Sequence, residues 1–153
     1  MVGRSLRLKI LPADYADVAD LIQIKIYTMT ENEISYLIRG AIFKVVKKLG
    51  AGLFENVYKH ILKYELEKLG LNVKMEVPLP VFYDDIKFDI GFRIDLLIND
   101  KVIIEIKSVE KLAEVHHKQI ITYLKLTSLK LGILVNFNSN NIANDIFRKV
   151  NNL

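Results

Sequence analysis

Two stretches decide how this chain folds: Phe92-Arg93-Ile94-Asp95-Leu96-Leu97-Ile98 and Val102-Ile103-Ile104-Glu105-Ile106-Lys107-Ser108, joined by Asn99-Asp100-Lys101. Both are rich in β-branched and apolar residues, and the polar triplet between them reads as a hairpin turn. Into these apolar runs, beyond Arg93 near the start of the first, the sequence places three charges, Asp95, Glu105 and Lys107. An isolated carboxylate or ammonium is costly to bury unless it is paired or metal-bound. Three of them in adjoining strands mark a place where charge is put to use.

Register determines whether those charges meet. A two-residue loop at Asn99-Asp100 would set Ile98 against Lys101 and Ile94 against Glu105. A three-residue loop sets Ile98 against Val102, Leu96 against Ile104 and Ile94 against Ile106, with Asp95 facing Glu105. Apolar matching selects the second. It predicts Asp95, Glu105 and Lys107 on one face of one hairpin, because residues two apart share a face. Opposed carboxylates with Cβ atoms about 5 Å apart repel unless a cation lies between them. Oxygen donors of this kind suit Mg²⁺ or Mn²⁺. Lys107 could orient a water or steady negative charge developing on a phosphate. The alternative is a structural ion pair of Asp95 with Arg93 or Lys107, and spacing alone leaves both open.

Around the hairpin the chain punctuates itself. Thr30-Glu31-Asn32-Glu33 forms a capping box, followed by Ile34, Leu37, Ile38, Ala41, Ile42, Val45, Val46 and Leu49 at helical spacing and a stop at Gly50. A second helix is expected after Gly52, ending at Gly70. Val73, Met75, Val77, Leu79 and Val81 alternate as a strand, and Pro78 and Pro80 make it an edge. Asp84-Asp85 turns it into Ile86–Ile98, with Gly91 as a bulge or bend. A helix carries Leu112, Val115, His116, Gln119, Ile120, Tyr123, Leu124 and Thr127. Leu131–Val135 reads as a strand buried on both faces, and residues 142–150 as a short terminal helix. The expected class is a mixed α/β sheet with helices on its faces. Residues 1–28 show no sustained period and read as an N-terminal extension, a candidate to lie outside the core. Residues 29–153 read as one domain.

Composition narrows the class. The 153 residues include no cysteine, which excludes disulfides, thiol catalysis and cysteine-ligated zinc and fits a reducing cytoplasm. No apolar run approaches the ~20 residues of a membrane span. Asp14, Asp17 and Asp20 interrupt what would otherwise be a signal-peptide core after Arg4, Arg7 and Lys9. A cytoplasmic protein without a membrane partner is the expectation. The net charge of +4 is mildly basic and compatible with a polyanion. Residues 76–100 hold six acids against two bases, and residues 101–130 hold six lysines against three glutamates. That distribution would suit an acidic pocket beside a basic flank, or merely unequal solvated surfaces.

Asp95 followed by Glu105-x-Lys107 resembles the motif of the PD-(D/E)xK nuclease superfamily. Gly52-Leu53-Phe54-Glu55-Asn56-Val57-Tyr58 resembles, more narrowly, the signature of the family called GxxExxY proteins. The likeness runs from about Glu31 to about Asn138 and takes in the Arg93–Leu97 strand, the His116-x-x-Gln119-x-x-x-Tyr123-Leu124 helix and the Gly132–Phe137 strand. Asp95 lacks the preceding proline common in the superfamily. The resemblance implies a restriction-endonuclease-like αβββαβ core with flanking helices and a Mg²⁺-dependent phosphodiesterase site, with Mn²⁺ as the alternative ion. It implies Asp95, Glu105 and the Ile106 carbonyl as metal ligands, Lys107 as the catalytic lysine and Glu55 as completing the acidic cluster. Gln119 and Tyr123 would contact substrate phosphate or hold Lys107, and His116 is a lesser substrate-side candidate.

Taken without the resemblance, Glu55 is a solvent-facing helix acid, and the face of His116, Gln119 and Tyr123 is half-buried packing. Tyr58 reads as core, His117 as surface, Asp84, Asp85 and Asp89 as turn and strand-face residues, and Asn136 and Asn138 as caps or turns. The expected function is metal-dependent hydrolysis of nucleic-acid phosphodiesters, with contacts to the backbone and no base-reading motif. The alternative is a non-catalytic nucleic-acid- or protein-binding module on the same fold. Homo-oligomerisation is left open.

Overall fold

The computed structural model describes residues 15–153, with side chains from Val18 onward; residues 1–14 of the expected extension lie outside the described residues. Thr30 caps helix α2 (Glu31–Leu49) as its sequence dictates. Its Oγ1 accepts the Glu33 amide N–H at 3.3 Å, and its own amide donates to Glu33 Oε2 at 2.7 Å. The stripe Ile34, Ile38, Ala41, Ile42 and Val45 is buried, and the Gly50 amide closes the helix on Val46 O at 2.8 Å. Helix α3 (Glu55–Lys68) lies beside α2, and Gly70 (φ +84°) ends it in the left-handed conformation that glycine adopts without strain.

The stretch without an evident period before Thr30 contains a helix, α1 (Tyr15–Thr28). Leu21, Ile22 and Tyr27 remain mostly exposed on it. It is held at its C-terminal turn, where Asn99 Nδ2 donates to Ile26 O at 3.1 Å. Lys101 Nζ donates to Tyr27 O at 3.3 Å and to Met29 O just beyond at 2.7 Å. A cation is favoured at that end of a helix.

Strands β1 (Val73–Tyr83), β2 (Ile86–Ile98), β3 (Val102–Lys107), β4 (Leu131–Asn136) and β5 (Ile146–Val150) form one sheet in chain order. All neighbours are antiparallel except β3 and β4, which run parallel through the crossover helix α4 (Glu114–Thr127). The β2–β3 register is the one that apolar matching selects: Ile98 faces Val102, Leu97 faces Ile103 and Leu96 faces Ile104. Asn99 and Asp100 both take positive φ in the turn, as do Asp84 and Asp85 between β1 and β2. Asx side chains tolerate that conformation best among non-glycine residues. The result is a mixed α+β fold with helices on the two faces of a five-stranded sheet, consistent with the restriction-endonuclease-like architecture.

The sheet separates two cores. Val102, Ile104 and Ile106 of β3 point into the larger one with α2 and α3, whereas Ile103 points to Ile120, Tyr123 and Leu124 of α4. All six residues of β4 are buried, matching its reading as a strand covered on both sides.

One element differs from expectation. Residues 142–150 are not a helix: a single 3₁₀ turn, Ile142–Asn144, precedes β5. Spacings of three and four among Ile142, Ile146, Phe147 and Val150 fit a helix, but a short segment with both faces apolar also fits a strand. Ile146 packs into the larger core and Phe147 into the smaller, which requires adjacent side chains on opposite faces. β5 also satisfies the outer backbone edge of the buried strand β4. No helix among the described residues is long and apolar enough to cross a membrane.

Two glycines give opposite expectations. A Cβ on Gly132 would stand 2.8 Å and 2.9 Å from Ile120 Cδ1 and Cγ1, and Ile120 is fully buried. Gly132→Ala should destabilise by about 1–3 kcal/mol through overpacking. Gly40, inside α2, has nothing within 4 Å of such a Cβ, so Gly40→Ala should stabilise by about 0.5–1 kcal/mol. Urea unfolding of the two variants measures both, and equal signs would contradict the packing described.

Candidate functional site

The β2–β3 ladder stops at Leu96–Ile104. One residue further, where Asp95 and Glu105 were expected to oppose each other as the next pair, the Asp95 side chain substitutes for the backbone. Its Oδ2 accepts the Ile106 amide N–H at 2.8 Å. Its Oδ1 lies 2.6 Å from Lys59 Nζ. Asp95 is therefore ion-paired, but with a lysine from α3 rather than with Arg93 or Lys107. Lys59 also bonds Glu76 Oε1. Glu76 lies across from Asp95 on β1, between the pairs Met75–Leu96 and Val77–Ile94, and adopts φ +54°. That conformation costs a non-glycine residue about 1–2 kcal/mol, and it falls where the strand contributes a carboxylate to the cluster.

Glu105 sits two residues after Ile103 and so projects toward α4. It is 3% exposed. Lys107 Nζ lies 3.3 Å from its Oε1, while among the described residues its buried Oε2 has no hydrogen-bond partner. Burial, reinforced by the negative charge of Asp95 and opposed by Lys107, raises the Glu105 carboxyl to about pH 7. Lys59 behaves oppositely: burial disfavours its charge, but the hydrogen bonds to Asp95 and Glu76 prevail, and its pKa is raised.

Glu55 begins α3, one turn before Lys59. Among the described residues its carboxylate makes no hydrogen bond or ion pair. Desolvation raises its pKa, against the pull of Lys107 and with the push of Asp95. Tyr123 is 3% exposed on α4, and Gln119 Nε2 donates to its hydroxyl oxygen at 2.8 Å. Burial raises the pKa of Tyr123 as well, and the charges of Glu105 and Lys107 act on it. The structure thus gathers Glu55, Asp95, Glu105, Lys107, Gln119 and Tyr123 at the sheet end between α3 and α4. His116 is a helix cap, its Nδ1 accepting the Ala113 amide at 3.0 Å at the start of α4. His117 is partly buried rather than on the surface and packs edge-on against Phe147, centroids 4.8 Å apart.

Local anchors hold this arrangement. Tyr58, buried as expected, stacks on Phe137 at 4.4 Å. Its hydroxyl donates to Gly50 O at 2.7 Å and accepts the Leu53 amide at 3.2 Å. This fixes the turn through Gly52 (φ +100°) that starts α3 and aims Glu55. Ser108 Oγ, next to Lys107, donates to Leu53 O at 2.6 Å and ties the same turn to the end of β3. Asn136 exchanges two bonds with the Val109 backbone, accepting at 3.0 Å and donating at 2.8 Å.

Sequence reasoning missed Lys59 and Glu76. The spacing of Lys59 from Glu55, one helical turn, places the two on one face and is the signal that could have found it. Two lysines of the anticipated basic flank are engaged away from the cluster. Lys101 holds the end of α1, and Lys118 pairs with Glu114 on the surface of α4. The large cavity of about 500 Å³ between α2 and α3, floored by Tyr36, Gly40, Phe43 and Leu69 and edged by Arg39, Lys44, Glu65 and Lys68, is lined by none of the clustered residues.

The donor set suits a small hard cation. Asp95 and Glu105 offer carboxylate oxygens beside the Ile106 carbonyl, and Glu105 Oε2 is an orphaned buried acceptor of the kind a cation satisfies. Among the described residues, no three His, Asp or Glu side chains stand together as a ready metal cage. Water would supply the remaining ligands, as Mg²⁺ commonly requires.

Comparison with known proteins identifies a family. The family model described as the PD-(D/E)XK nuclease superfamily matches residues 32–149. That span contains every residue of the cluster. No curated protein and no solved structure matches the chain.

The Glu105 carboxyl leads to a stability prediction. Folded, it keeps its proton to about pH 7, against an ordinary value of 4.5. The folded state therefore holds the extra proton between those values, and Glu105 subtracts stability as pH rises from about 4.5 to about 7. Glu105→Gln removes that slope. Chemical denaturation at pH 8 should find the variant more stable than wild type by on the order of 1–3 kcal/mol, with the difference vanishing toward pH 4.5. A difference independent of pH would refute the assignment.

Proposed function

The chain belongs to the PD-(D/E)XK nuclease superfamily, and on that premise we propose that it hydrolyses nucleic-acid phosphodiester bonds with Mg²⁺ or Mn²⁺. The observation that carries the proposal is the unpartnered, buried Oε2 of Glu105 beside Asp95 and Lys107. An acidic pocket suited to a cation, with an adjacent ammonium, is what phosphodiester cleavage needs.

Asp95, Glu105 and the Ile106 carbonyl would hold the ion, with Glu55 facing the same space from α3. Once bound, such an ion supplies Lewis acidity toward a phosphate oxygen and a lowered pKa for water. Lys107, 15% exposed at its side chain, presents an ammonium to the attacking water or to a phosphate oxygen. The Tyr123 oxygen already accepts from Gln119, so its own proton is free to donate outward to the phosphate backbone. His116 keeps the start of α4 in place from its capping position. Contacts of this kind bind backbone without reading bases. The run from Gly52 to Tyr58 supports placement within the narrower GxxExxY family. The cysteine-free composition supports a cytoplasmic setting.

A specific observation favours the second reading, a binding module that keeps the fold without turnover: both oxygens of Asp95 are engaged, by Lys59 and by the Ile106 amide. Calorimetry with Mn²⁺, followed by cleavage assays on single- and double-stranded DNA and RNA, separates the two. The nuclease reading expects Mn²⁺ binding that Asp95→Ala abolishes. It also expects Lys107→Ala to cut the cleavage rate by about 10²–10⁴-fold while leaving the fold intact. Binding of nucleic acid with no cleavage in the metal-loaded protein would establish the module.

A further inference from the structure

Asp95 and Glu105 are unequal as ligands. Lys107 engages one oxygen of Glu105 and leaves Oε2 free. On Asp95 neither oxygen is free: the Ile106 amide takes Oδ2 at 2.8 Å and Lys59 Nζ takes Oδ1 at 2.6 Å. Lys59 is 7% exposed and is the only ammonium paired with Asp95 among the described residues. A buried lysine abandoned by its partner is a heavy penalty, yet this one touches a second carboxylate, Glu76. The Glu76 side chain is 38% exposed, so it can keep the ammonium solvated from one side. The left-handed backbone at Glu76 falls at the residue opposite Asp95, where this second contact is made.

We propose that Lys59 is a resident cation of the site, a positioning residue that occupies Asp95 Oδ1 in the metal-free protein and withdraws onto Glu76 when a divalent ion binds. The inference rests on the metal-site reading above and adds a threshold to it. Lys59 holds the carboxylate in place and suppresses binding at low metal concentration. Glu76 sets how readily the lysine gives way. The flexible four-carbon stem of lysine, with its strongly hydrated compact charge, suits such a movement better than a rigid guanidinium.

Calorimetric titration with Mn²⁺ alone tests this through a double-mutant cycle of the full chain. Lys59→Met should bind Mn²⁺ at least about tenfold more tightly than wild type, the factor that about 1.4 kcal/mol of removed competition provides. Glu76→Gln should bind severalfold more weakly, because Lys59 then has no second anchor. In the Lys59→Met background, Glu76→Gln should change nothing, since its effect passes through the lysine. Circular dichroism checks folding, and Lys59→Gln replaces Lys59→Met if the latter does not fold. Wild-type binding with no tightening in the Lys59 variants would overturn this inference and leave the metal site standing. An equal weakening by Glu76→Gln in both backgrounds would overturn it too, reducing Glu76 to a general field effect. No Mn²⁺ binding by any variant would overturn the metal-site reading itself and this inference with it. A wild type that fails to bind beside a Lys59→Met that binds would support the inference in its strongest form.

Discussion

The bond from the Ile106 amide to the Asp95 carboxylate is the constraint on which the rest of the structure depends. β2 and β3 pair conventionally through Leu96 and Ile104, and the next backbone donor of β3 would be orphaned as the strands part. A side-chain carboxylate takes its place. Buried amides must be paired, so the strands are free to diverge only because residue 95 carries an acceptor of the right length. The divergence opens the space in which Glu105 and Lys107 face α4 while Lys59 approaches from α3. A neutral aliphatic at position 95 would leave the amide unpaired and remove the partner of Lys59 together.

Two carboxylates and two lysines could have formed two equivalent ion pairs. They do not, and the asymmetry has a topological origin. Lys107 shares a strand face with Glu105 and can reach one oxygen along the strand. Lys59 comes from a helix and meets Asp95 and Glu76 between two strands. Asp95 is satisfied at both oxygens, whereas burial acts on a half-satisfied carboxylate at Glu105 and drives it toward neutrality.

Much of this was legible in the chain itself. The capping box at Thr30, the buried run at Leu131–Val135 and the hairpin register all follow from local chemistry, and the register alone brought the site charges to one sheet end. Gly52, Glu55 and Tyr58 could be grouped as a motif, although only the structure explains it: Tyr58 anchors the turn from which Glu55 starts its helix. The remainder was hidden for identifiable reasons. β5 carries apolar residues on both faces, so neither period stands out. Helix α1 leaves much of its apolar surface exposed and thus lacks the one-sided stripe that announces a packed helix. Glu76 becomes a site residue only through contacts between α3, β1 and β2, which no local pattern encodes; Lys59 shares a helix face with Glu55, but its partners too appear only in those contacts.

The parallel pairing of β3 with β4 carries a kinetic consequence. That pairing cannot form until the chain has traversed α4 and returned, a long closure whose entropy is lost before its contacts repay it. Asn136, at the far end of β4, then fastens the segment that follows Lys107, and Phe137 completes the stack on Tyr58. The charged cluster is thereby assembled from both sides of the crossover connection. A chain stalled before that closure would contain all the clustered residues and none of their arrangement.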